Sequence, residues 1–463
     1  MEIKINKEIR GYTESMFFGL NLRQFLFSVL AVGVAVAIYF GLRNYLGTET
    51  VSWLCILGAA PFAALGFLKY NGMPAEKFIA AFIRSEFLMP KKVVFRSTNL
   101  YYELTKDAIS GNMIIVNKSE LMNGSALRFG VPGSGKSFGA KDEMEQIALN
   151  TNDDILVCDP EREYTMLEKF GGEIIRIAAG SPDHINAMDM VEGYSDVGSP
   201  VAQKSQFVMS LLEQLDQEHE LSSKDKSIID RCTGDLYKSY KHGGPLPTLL
   251  SLRELLIAQP EPEARDLALS LELFTEGSLN AFAYPTNVNT NSRIVVYDIL
   301  DLGEQLKTMG LLVITDAILN RVTENWKKGK RTHVYLDEFH VVYENPYSSM
   351  FFTSAWRRFR KRNAFPTGIT QNVEYLLDNA SARSLLSNSE LIVMHNQASS
   401  DRERLAELFN ISEDQMKFIT NAEAGHGLMK IGKALIPFVN RFPKNTELYR
   451  YMTTKPGETE FWG

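Results

Sequence analysis

The sequence predicts an α/β protein with a mostly parallel sheet, an all-α insertion, and a two-helix hairpin ahead of the sheet domain. Two apolar runs, residues 24–42 and 50–68, contain no charged residue. From about residue 105, short apolar strand patterns alternate with amphipathic helix patterns, as is typical of parallel sheets. Between about 200 and 275 only helical patterns occur, so this stretch is predicted to be an insertion in the sheet domain.

Length and composition limit the classes of function. The chain has 463 residues, too many for one ordinary domain, and its 45% hydrophobic content can bury a large core. The net charge of −7 gives no overall preference for nucleic acid, so a DNA contact would need a local basic patch. Cys55, Cys158 and Cys232 are widely separated and lack metal-binding spacing, which favours a reducing compartment for most of the chain.

The two apolar runs are predicted to be transmembrane helices joined by the connector 43–49. Each run is near the lower end of the ~17–25 residues that span a bilayer, and each is apolar on every face. A pair of buried core helices is the alternative, whereas a signal peptide is disfavoured because the first run starts late. The flanking cations are Lys4, Lys7, Arg10 and Arg23 before the hairpin, and Lys69, Lys77, Arg84, Lys91, Lys92 and Arg96 after it. The positive-inside rule then places both ends in the cytoplasm.

A glycine-rich loop carries the strongest chemical signal in the sequence. It reads Gly130-Val131-Pro132-Gly133-Ser134-Gly135-Lys136-Ser137, and Phe138 follows in a predicted helix. This pattern fits G-x-x-x-x-G-K-[ST], whose glycines let backbone N–H groups approach phosphate oxygens. We therefore predict that residues 130–138 bind ATP, with Lys136 on the β- and γ-phosphates and the Ser137 hydroxyl on Mg²⁺. A chance glycine-rich turn is the alternative, which the flanking strand and helix patterns disfavour.

A second chemical signal is the apolar strand that ends in Asp337 and Glu338. P-loop ATPases need such acids opposite the phosphate loop. Asp337 is predicted to hold Mg²⁺ through water, and Glu338 to polarise the attacking water as the hydrolytic residue. The hexapeptide 333–338 alone would also fit an ordinary strand end, but its position after the phosphate loop favours the catalytic interpretation.

Three further positions are predicted to complete the site. Gln371 follows a short apolar strand, where its side chain can sense the γ-phosphate. Arg357 and Arg358 lie about 20 residues after Glu338, on a helix predicted to start near Thr353. One of them is expected to reach the nucleotide of a neighbouring subunit, because an arginine in cis or in trans commonly neutralises transition-state charge in P-loop enzymes. Arg383 is the reserve candidate, and a solvated or lipid-facing basic helix is the alternative.

Two resemblances to known families follow from longer motifs. The N-terminal ~100 residues resemble the PrgI family of small two-helix membrane proteins encoded with conjugation machinery. The matching stretches are Ile9-Arg10-Gly11-Tyr12, Phe18-Gly19-Leu20, Arg23-Gln24 and Met89-Pro90-Lys91-Lys92.

The remainder, about residues 106–455, resembles the C-terminal motor domain of the large conjugation and type IV secretion ATPase related to HerA and FtsK. The matching stretches are Ser137-Phe138 with its phosphate loop, Asp159-Pro160-Glu161-Arg162-Glu163-Tyr164, Ile185-Asn186 with Met188-Asp189, Leu336-Asp337-Glu338, Gly368-Ile369-Thr370-Gln371-Asn372-Val373-Glu374 and Ser387-Asn388-Ser389. This resemblance implies a RecA-like P-loop ATPase fold. The sequence departs from the family because the hairpin joins the motor almost directly, without the usual N-terminal ATPase domain.

These observations predict a membrane domain in residues 1–104 and a P-loop ATPase domain in residues 105–463. The preferred interpretation is an ATPase of the bacterial inner membrane, multi-pass, with its motor in the cytoplasm, that energises a conjugative or type IV secretion apparatus. Expected partners are the membrane, other channel subunits and further copies of the chain, with a hexamer as the candidate assembly. A coupling-protein-type DNA pump and a non-hydrolysing membrane scaffold are the alternatives.

Overall fold

A computed structural model describes residues 22–67, 69–70, 73–74, 105–196, 198–215 and 220–454. The chain divides into two compact units, residues 1–96 and 97–463. The motifs predicted at 9–12, 18–20 and 89–92 lie outside the described residues, as do all the flanking cations except Arg23 and Lys69.

The first unit contains an antiparallel helical hairpin. Helix α1 spans Leu22–Leu42 and α2 spans Thr48–Phe67, so both apolar runs form helices as predicted. A Cβ at Gly58 would collide with Cδ1 of Ile38, and one at Gly66 would lie 2.9 Å from Cβ of Phe27. Small residues therefore let the two helices approach closely. A two-stranded ribbon follows, with β1 at Lys69–Tyr70 and β2 at Met73–Pro74.

The outer surface of this hairpin is apolar. Val32, Trp53 and Leu57 are each more than 60% exposed, and in the described part of the two helices few residues are buried. Both helices are long and apolar enough to cross a membrane, with mean hydropathies of 2.4 and 1.7. Exposure of this extent disfavours the alternative of two buried core helices, because a core helix covers its apolar face with protein.

The second unit is built on an 11-stranded sheet of order β4-β3-β13-β12-β11-β5-β10-β9-β6-β8-β7. Its strands are β3 (Thr105–Asp107), β4 (Met113–Ile114), β5 (Ala126–Phe129), β6 (Asp154–Asp159), β7 (Glu173–Arg176), β8 (Ile294–Asp298), β9 (Thr332–Asp337), β10 (Ala364–Thr370), β11 (Leu391–Met394), β12 (His426–Ile431) and β13 (Ala434–Val439). The run from β11 to β7 is parallel, and the strands from β12 to β4 are antiparallel. The predicted α/β class with a mostly parallel sheet is confirmed.

Helices cover the sheet and fill the insertion. They are α3 (Lys136–Asn150), α4 (Pro200–Leu215), α5 (Ser223–Lys241), α6 (Leu249–Ile257), α7 (Pro262–Ser270), α8 (Glu272–Thr275), α9 (Glu304–Lys327), α10 (Pro346–Lys361), α11 (Glu374–Asp378), α12 (Ala380–Asn388), α13 (Ser399–Phe409), α14 (Glu413–Met416) and α15 (Glu447–Met452). Helices α4 to α8 lie between β7 and β8, in the stretch where only helical patterns occur. Helix α10 begins at Pro346, so the prediction of a start near Thr353 was wrong.

The register of β5, β9 and β10 determines where the segments that follow these strands lie. Gly368 of β10 lies opposite Leu127 of β5 on one side and Leu336 of β9 on the other. Because parallel strands bring their carboxyl ends to one edge, the segments that follow β5, β9 and β10 meet there. Alternate β6 residues pack on the two faces, Ile155 and Val157 beneath α3, and Leu156 and Cys158 in the larger core.

Candidate nucleotide site

The loop between β5 and α3 has the backbone conformation of a phosphate cradle. Gly133 and Gly135 have positive φ values of 75° and 101°, which residues with a side chain rarely adopt. The loop is fixed by hydrogen bonds from Val131 N–H to Asn396 O (2.9 Å) and from Gly425 N–H to Ser134 O (2.9 Å). Ser134 Oγ is buried and has no hydrogen-bond partner among the described residues. An unsatisfied buried hydroxyl between two glycines of positive φ fits an anionic phosphate ligand.

Lys136 links the loop to the end of β9. Its Nζ lies 3.2 Å from Oε1 of Glu338, and both side chains are buried. Burial lowers the pKa of Lys136, but the carboxylates of Asp337, Glu338 and Glu163 outweigh this effect and raise the pKa. The lysine therefore stays charged, as a ligand for phosphate oxygens requires.

Asp337 is held by two donors at the end of β9. Tyr164 Oη donates to Oδ2 over 2.9 Å, and Glu338 N–H donates to Oδ1 over 2.9 Å. Burial raises the pKa of Asp337 to about 7, although Lys136 opposes this shift. Mg²⁺ prefers oxygen ligands and usually binds one or two carboxylates together with substrate phosphates. The Asp337 carboxylate and the Ser137 hydroxyl fit this donor set.

Glu338 adopts a left-handed conformation with φ of 46° and ψ of 36°. A positive φ is uncommon for a residue with a side chain and is often found at functional sites. Its Oε2 lies 3.1 Å from His340 Nδ1 and accepts the Gln371 N–H over 3.4 Å. Burial would raise the pKa of Glu338, but His340, Lys136 and Gln371 together lower it to about 2. The carboxylate is therefore ionised and fixed in orientation, which suits it to accept a hydrogen bond from water.

The loop after β6 contributes Glu163 and Tyr164, whose roles in the site were not predicted from the sequence. Asp159 accepts hydrogen bonds from the N–H groups of Glu161, Glu163 and Tyr164 over 3.3, 3.0 and 2.9 Å. This turn places Tyr164 on Asp337 and Glu163 in the wall of the cavity beside Lys136. The acid that ends the β6 strand pattern was the available signal, but nothing local showed that its loop contacts β9.

The three arginines predicted as candidates to act in trans differ in exposure. Arg357 and Arg383 are exposed on α10 and α12. Arg358 is only 7% exposed, and its Nη1 donates to Gln203 Oε1 over 3.1 Å. Its guanidinium also lies 5.4 Å from the ring centre of Tyr194. Because Arg358 anchors α10 to α4 within one chain, it loses its support as a residue that reaches a neighbouring subunit.

A cavity of about 580 Å³ opens beside the phosphate loop. Its wall includes Lys136, Ser137, Phe138, Glu163 and Gln371, together with residues of the segments 423–426 and 440–454. A volume of this size is typical of a small-molecule site. The structure thus brings six of the nine predicted loop residues, 132, 133 and 135–138, to one cavity with Gln371, and Glu338 forms an ion pair with Lys136.

Comparisons with known proteins agree with the interpretation of both parts of the sequence. Residues 4–95 match the family described as PrgI family protein. No curated protein matches the sequence. Among solved structures, VirB4 of Thermoanaerobacter pseudethanolicus has a TM-score of 0.67 at 24% identity, covering 76% of this chain and 98% of that chain.

A second solved structure, the unbound monoclinic form of the bacterial conjugative coupling protein TrwBdeltaN70, has a TM-score of 0.50 at 13% identity. The match covers 76% of this chain and 91% of that chain. At these identities the likeness shows the fold. Residues 4–95 therefore match the PrgI family, and the sheet domain that follows in the sequence shares its fold with VirB4.

Proposed function

We propose that this protein is a membrane-anchored ATPase that energises a conjugative or type IV secretion apparatus by Mg²⁺-dependent ATP hydrolysis. The observation that carries the proposal is the 3.2 Å contact between Lys136 of the phosphate loop and Glu338 at the end of β9. This contact brings together a phosphate-binding cation and the acid expected to act on water. The PrgI family match supports the link to conjugation, and the VirB4 likeness supports the fold.

Each residue has a distinct task in this mechanism. The N–H groups of the loop and Lys136 bind the β- and γ-phosphates, while the Ser137 hydroxyl, and Asp337 through water, would hold Mg²⁺. Bound Mg²⁺ neutralises charge on the phosphate oxygens. Glu338 orients the attacking water as a hydrogen-bond acceptor, and Gln371 senses the γ-phosphate. Since the pKa of Glu338 is about 2, we propose orientation and polarisation of the water rather than full proton removal in the ground state.

The hairpin is proposed to anchor the motor to the bacterial inner membrane as a multi-pass segment with both ends in the cytoplasm. A charged residue at the centre of a transmembrane helix costs ~2.5–3.5 kcal/mol on insertion. Neither apolar run contains such a residue. The connector 43–47 between the two helices then faces the outer side. Cysteine labelling at Thr48 tests this topology: a probe that reacts only from the cytoplasmic side would reverse it.

The proposed assembly is a homo-oligomer that contacts channel subunits, with a hexamer as the first candidate to test. Of the three candidate arginines, the exposed Arg357 and Arg383 remain available to a neighbouring active site. Cross-linking followed by mass measurement of the purified oligomer gives the subunit number.

Turnover of single variants tests the proposed reaction. Lys136→Ala is expected to abolish ATP binding, whereas Glu338→Gln should retain binding and lose turnover, because the amide keeps the shape but cannot polarise water. The matched controls are Lys433→Ala and Glu344→Gln, which change exposed residues. A Glu338→Gln protein that hydrolyses ATP like the parent contradicts the assignment. ATP binding without turnover in the parent would favour a scaffold, and strong stimulation by single-stranded or duplex DNA would favour a DNA pump.

A further inference from the structure

The segment after β13 forms one wall of the nucleotide cavity. This C-terminal strap, residues 440–454, contains helix α15, which is capped at its N-terminus by the Thr446 side chain. Its cavity-lining residues include Asn440, Phe442, Lys444, Tyr449 and Met452. The strap therefore supplies much of the cavity wall outside the phosphate loop, and the sequence motifs assign it no role.

Helix α3, which begins at the phosphate loop, holds the strap in place. Lys141 Nζ donates to the Met452 carbonyl over 3.1 Å, and Asn440 Nδ2 donates to Asp142 Oδ2 over 3.1 Å. Met452 is fully buried and packs in the same cluster as Ala140 and Met144 of α3. Loss of this hydrogen bond would leave the buried Lys141 ammonium without the Met452 carbonyl, at a cost in folding free energy. These contacts fix the strap at a defined distance from the phosphate-binding residues.

Three half-buried aromatic rings meet between α3 and the strap. Phe138 lies 5.5 Å from Phe442 and 5.5 Å from Tyr449, measured between ring centres. Phe442 and Tyr449 are stacked, with centres 6.5 Å apart and planes inclined by 28°. All three rings line the cavity. Ring faces at a cavity wall provide a surface on which a planar base can stack.

The position of Phe138 connects these rings to the nucleotide. Phe138 directly follows Lys136 and Ser137, which fix the position of the phosphates at the start of α3. The sugar and base of a nucleotide bound there must extend away from the loop within the same cavity. The wall next to Phe138 in that cavity is the strap, so its aromatic rings lie where the base is expected.

We propose that the strap is the base-binding subsite for a nucleoside triphosphate, with Phe442 and Tyr449 stacking on the base. This inference rests on the proposed nucleotide-binding function and names the residues that recognise the non-phosphate half of the ligand. Lys444, whose Nζ lies 6.0 Å from the Tyr449 ring centre, supports the orientation of that ring through a cation–π contact.

Binding of two ligands by the full-length protein in detergent tests the proposal. Isothermal titration calorimetry measures the Kd of Mg·ATP and of Mg·tripolyphosphate, which has phosphates but no base. Phe442→Ala and Tyr449→Ala should weaken ATP binding about 5- to 150-fold, the range expected for loss of one stacked base, and leave tripolyphosphate binding unchanged. Tyr451→Ala, on the same helix, is the matched control, because its hydroxyl bonds Glu447 and its side chain is 40% exposed.

The outcomes separate the subsite from the phosphate site. Equal weakening of ATP and tripolyphosphate, or no weakening of either, overturns the proposed subsite. Failure of the parent protein to bind either ligand contradicts the proposed function itself. Tyr449→Trp keeps an aromatic ring at this position and adds tryptophan fluorescence as a second measurement. Its added fluorescence should be quenched by ATP and not by tripolyphosphate, and equal responses to both ligands count against stacking.

Discussion

The hydroxyl of Tyr164 donates a 2.9 Å hydrogen bond to Oδ2 of Asp337, which connects the loop after β6 to the end of β9. Tyr164 is fully buried, and its backbone N–H is bonded to Asp159. The tyrosine therefore fixes the carboxylate that is proposed to bind Mg²⁺, and it acts as a positioning residue through Asp337.

Tyr164→Phe removes this hydrogen bond while the ring stays in place. We expect the Mg²⁺ concentration for half-maximal ATP turnover to rise about 10-fold, because loss of a partner behind a metal ligand typically costs 10–100-fold in affinity. Tyr335→Phe is the control, since it removes a buried hydroxyl that bonds Glu143 instead of Asp337. A titration with Mg²⁺ compares both variants. An unchanged Mg²⁺ requirement in Tyr164→Phe would mean that the hydrogen bond does not position the ligand.

Secondary-structure elements and the phosphate loop could be predicted from short stretches of the sequence. The hairpin, the β5 strand and the phosphate loop each follow from a continuous pattern of apolar residues or glycines. The contact between the phosphate loop and Glu338, just after β9, could also be expected, because a parallel sheet brings its strand ends to one edge. The insertion was likewise visible in the sequence, as a long stretch without strand patterns.

Contacts between distant segments could not be predicted in the same way. Tyr164 and Asp337 are separated by 173 positions, and no property of either residue specifies the other. Arg358 lies in a basic cluster typical of a solvated helix face, yet its side chain is directed toward Gln203 and Tyr194. The strap carries no motif, and only its tertiary contacts with α3 place it at the cavity.

His340 is expected to control the orientation of Glu338. Its Nδ1 lies 3.1 Å from Glu338 Oε2 and 2.9 Å from Thr370 Oγ1. His340→Ala should lower the kcat of ATP hydrolysis by roughly 10-fold, the equivalent of a hydrogen bond to a charged group, with little change in the Kd of ATP. His242→Ala, at an exposed position after α5, is the control. If kcat is unchanged, Glu338 does not depend on His340 for its orientation.

Substitution of the two exposed arginines is expected to affect turnover, whereas substitution of the buried Arg358 is expected to affect stability. Arg357→Ala or Arg383→Ala should keep the fold and lose turnover if one of them completes a neighbouring site, with a rate loss of up to about 10³–10⁵. Arg358→Ala should instead destabilise α10 against α4, because its bonds to Gln203 and to the Tyr194 carbonyl are lost.

Mixing two inactive variants tests whether Arg357 or Arg383 acts in a neighbouring subunit. A Lys136→Ala subunit keeps its arginines, and an Arg357→Ala or Arg383→Ala subunit keeps its own phosphate loop. Recovered turnover in the mixture supports an arginine in trans. An oligomer that forms without recovery for either arginine shows that neither residue acts across the interface.

Glu143 is predicted to be a main determinant of stability at low pH. It forms buried ion pairs with Lys118 and Arg128 and accepts a 2.9 Å hydrogen bond from Tyr335 Oη. Burial alone would raise the pKa of Glu143, but the two cations outweigh it and lower the pKa to about 2. Because the folded pKa is below the unfolded value of about 4.3, the unfolded chain takes up the proton first as the pH falls. The stabilisation is complete above about pH 4.5 and is lost progressively toward about pH 2.

Glu143→Gln tests this assignment, because the amide leaves two buried cations without their carboxylate. The free energy of unfolding at pH 7 should fall by about 3–5 kcal/mol, the usual cost of removing one partner of a buried pair. Its slope with pH between about 4.5 and 3 should also be smaller than in the parent, since an amide side chain does not titrate. Denaturant unfolding of the full chain in detergent, followed by tryptophan fluorescence, measures both quantities. Glu403→Gln, at an exposed position of α13, should change neither. A Glu143→Gln protein with the stability and pH profile of the parent would show that the cations are compensated elsewhere.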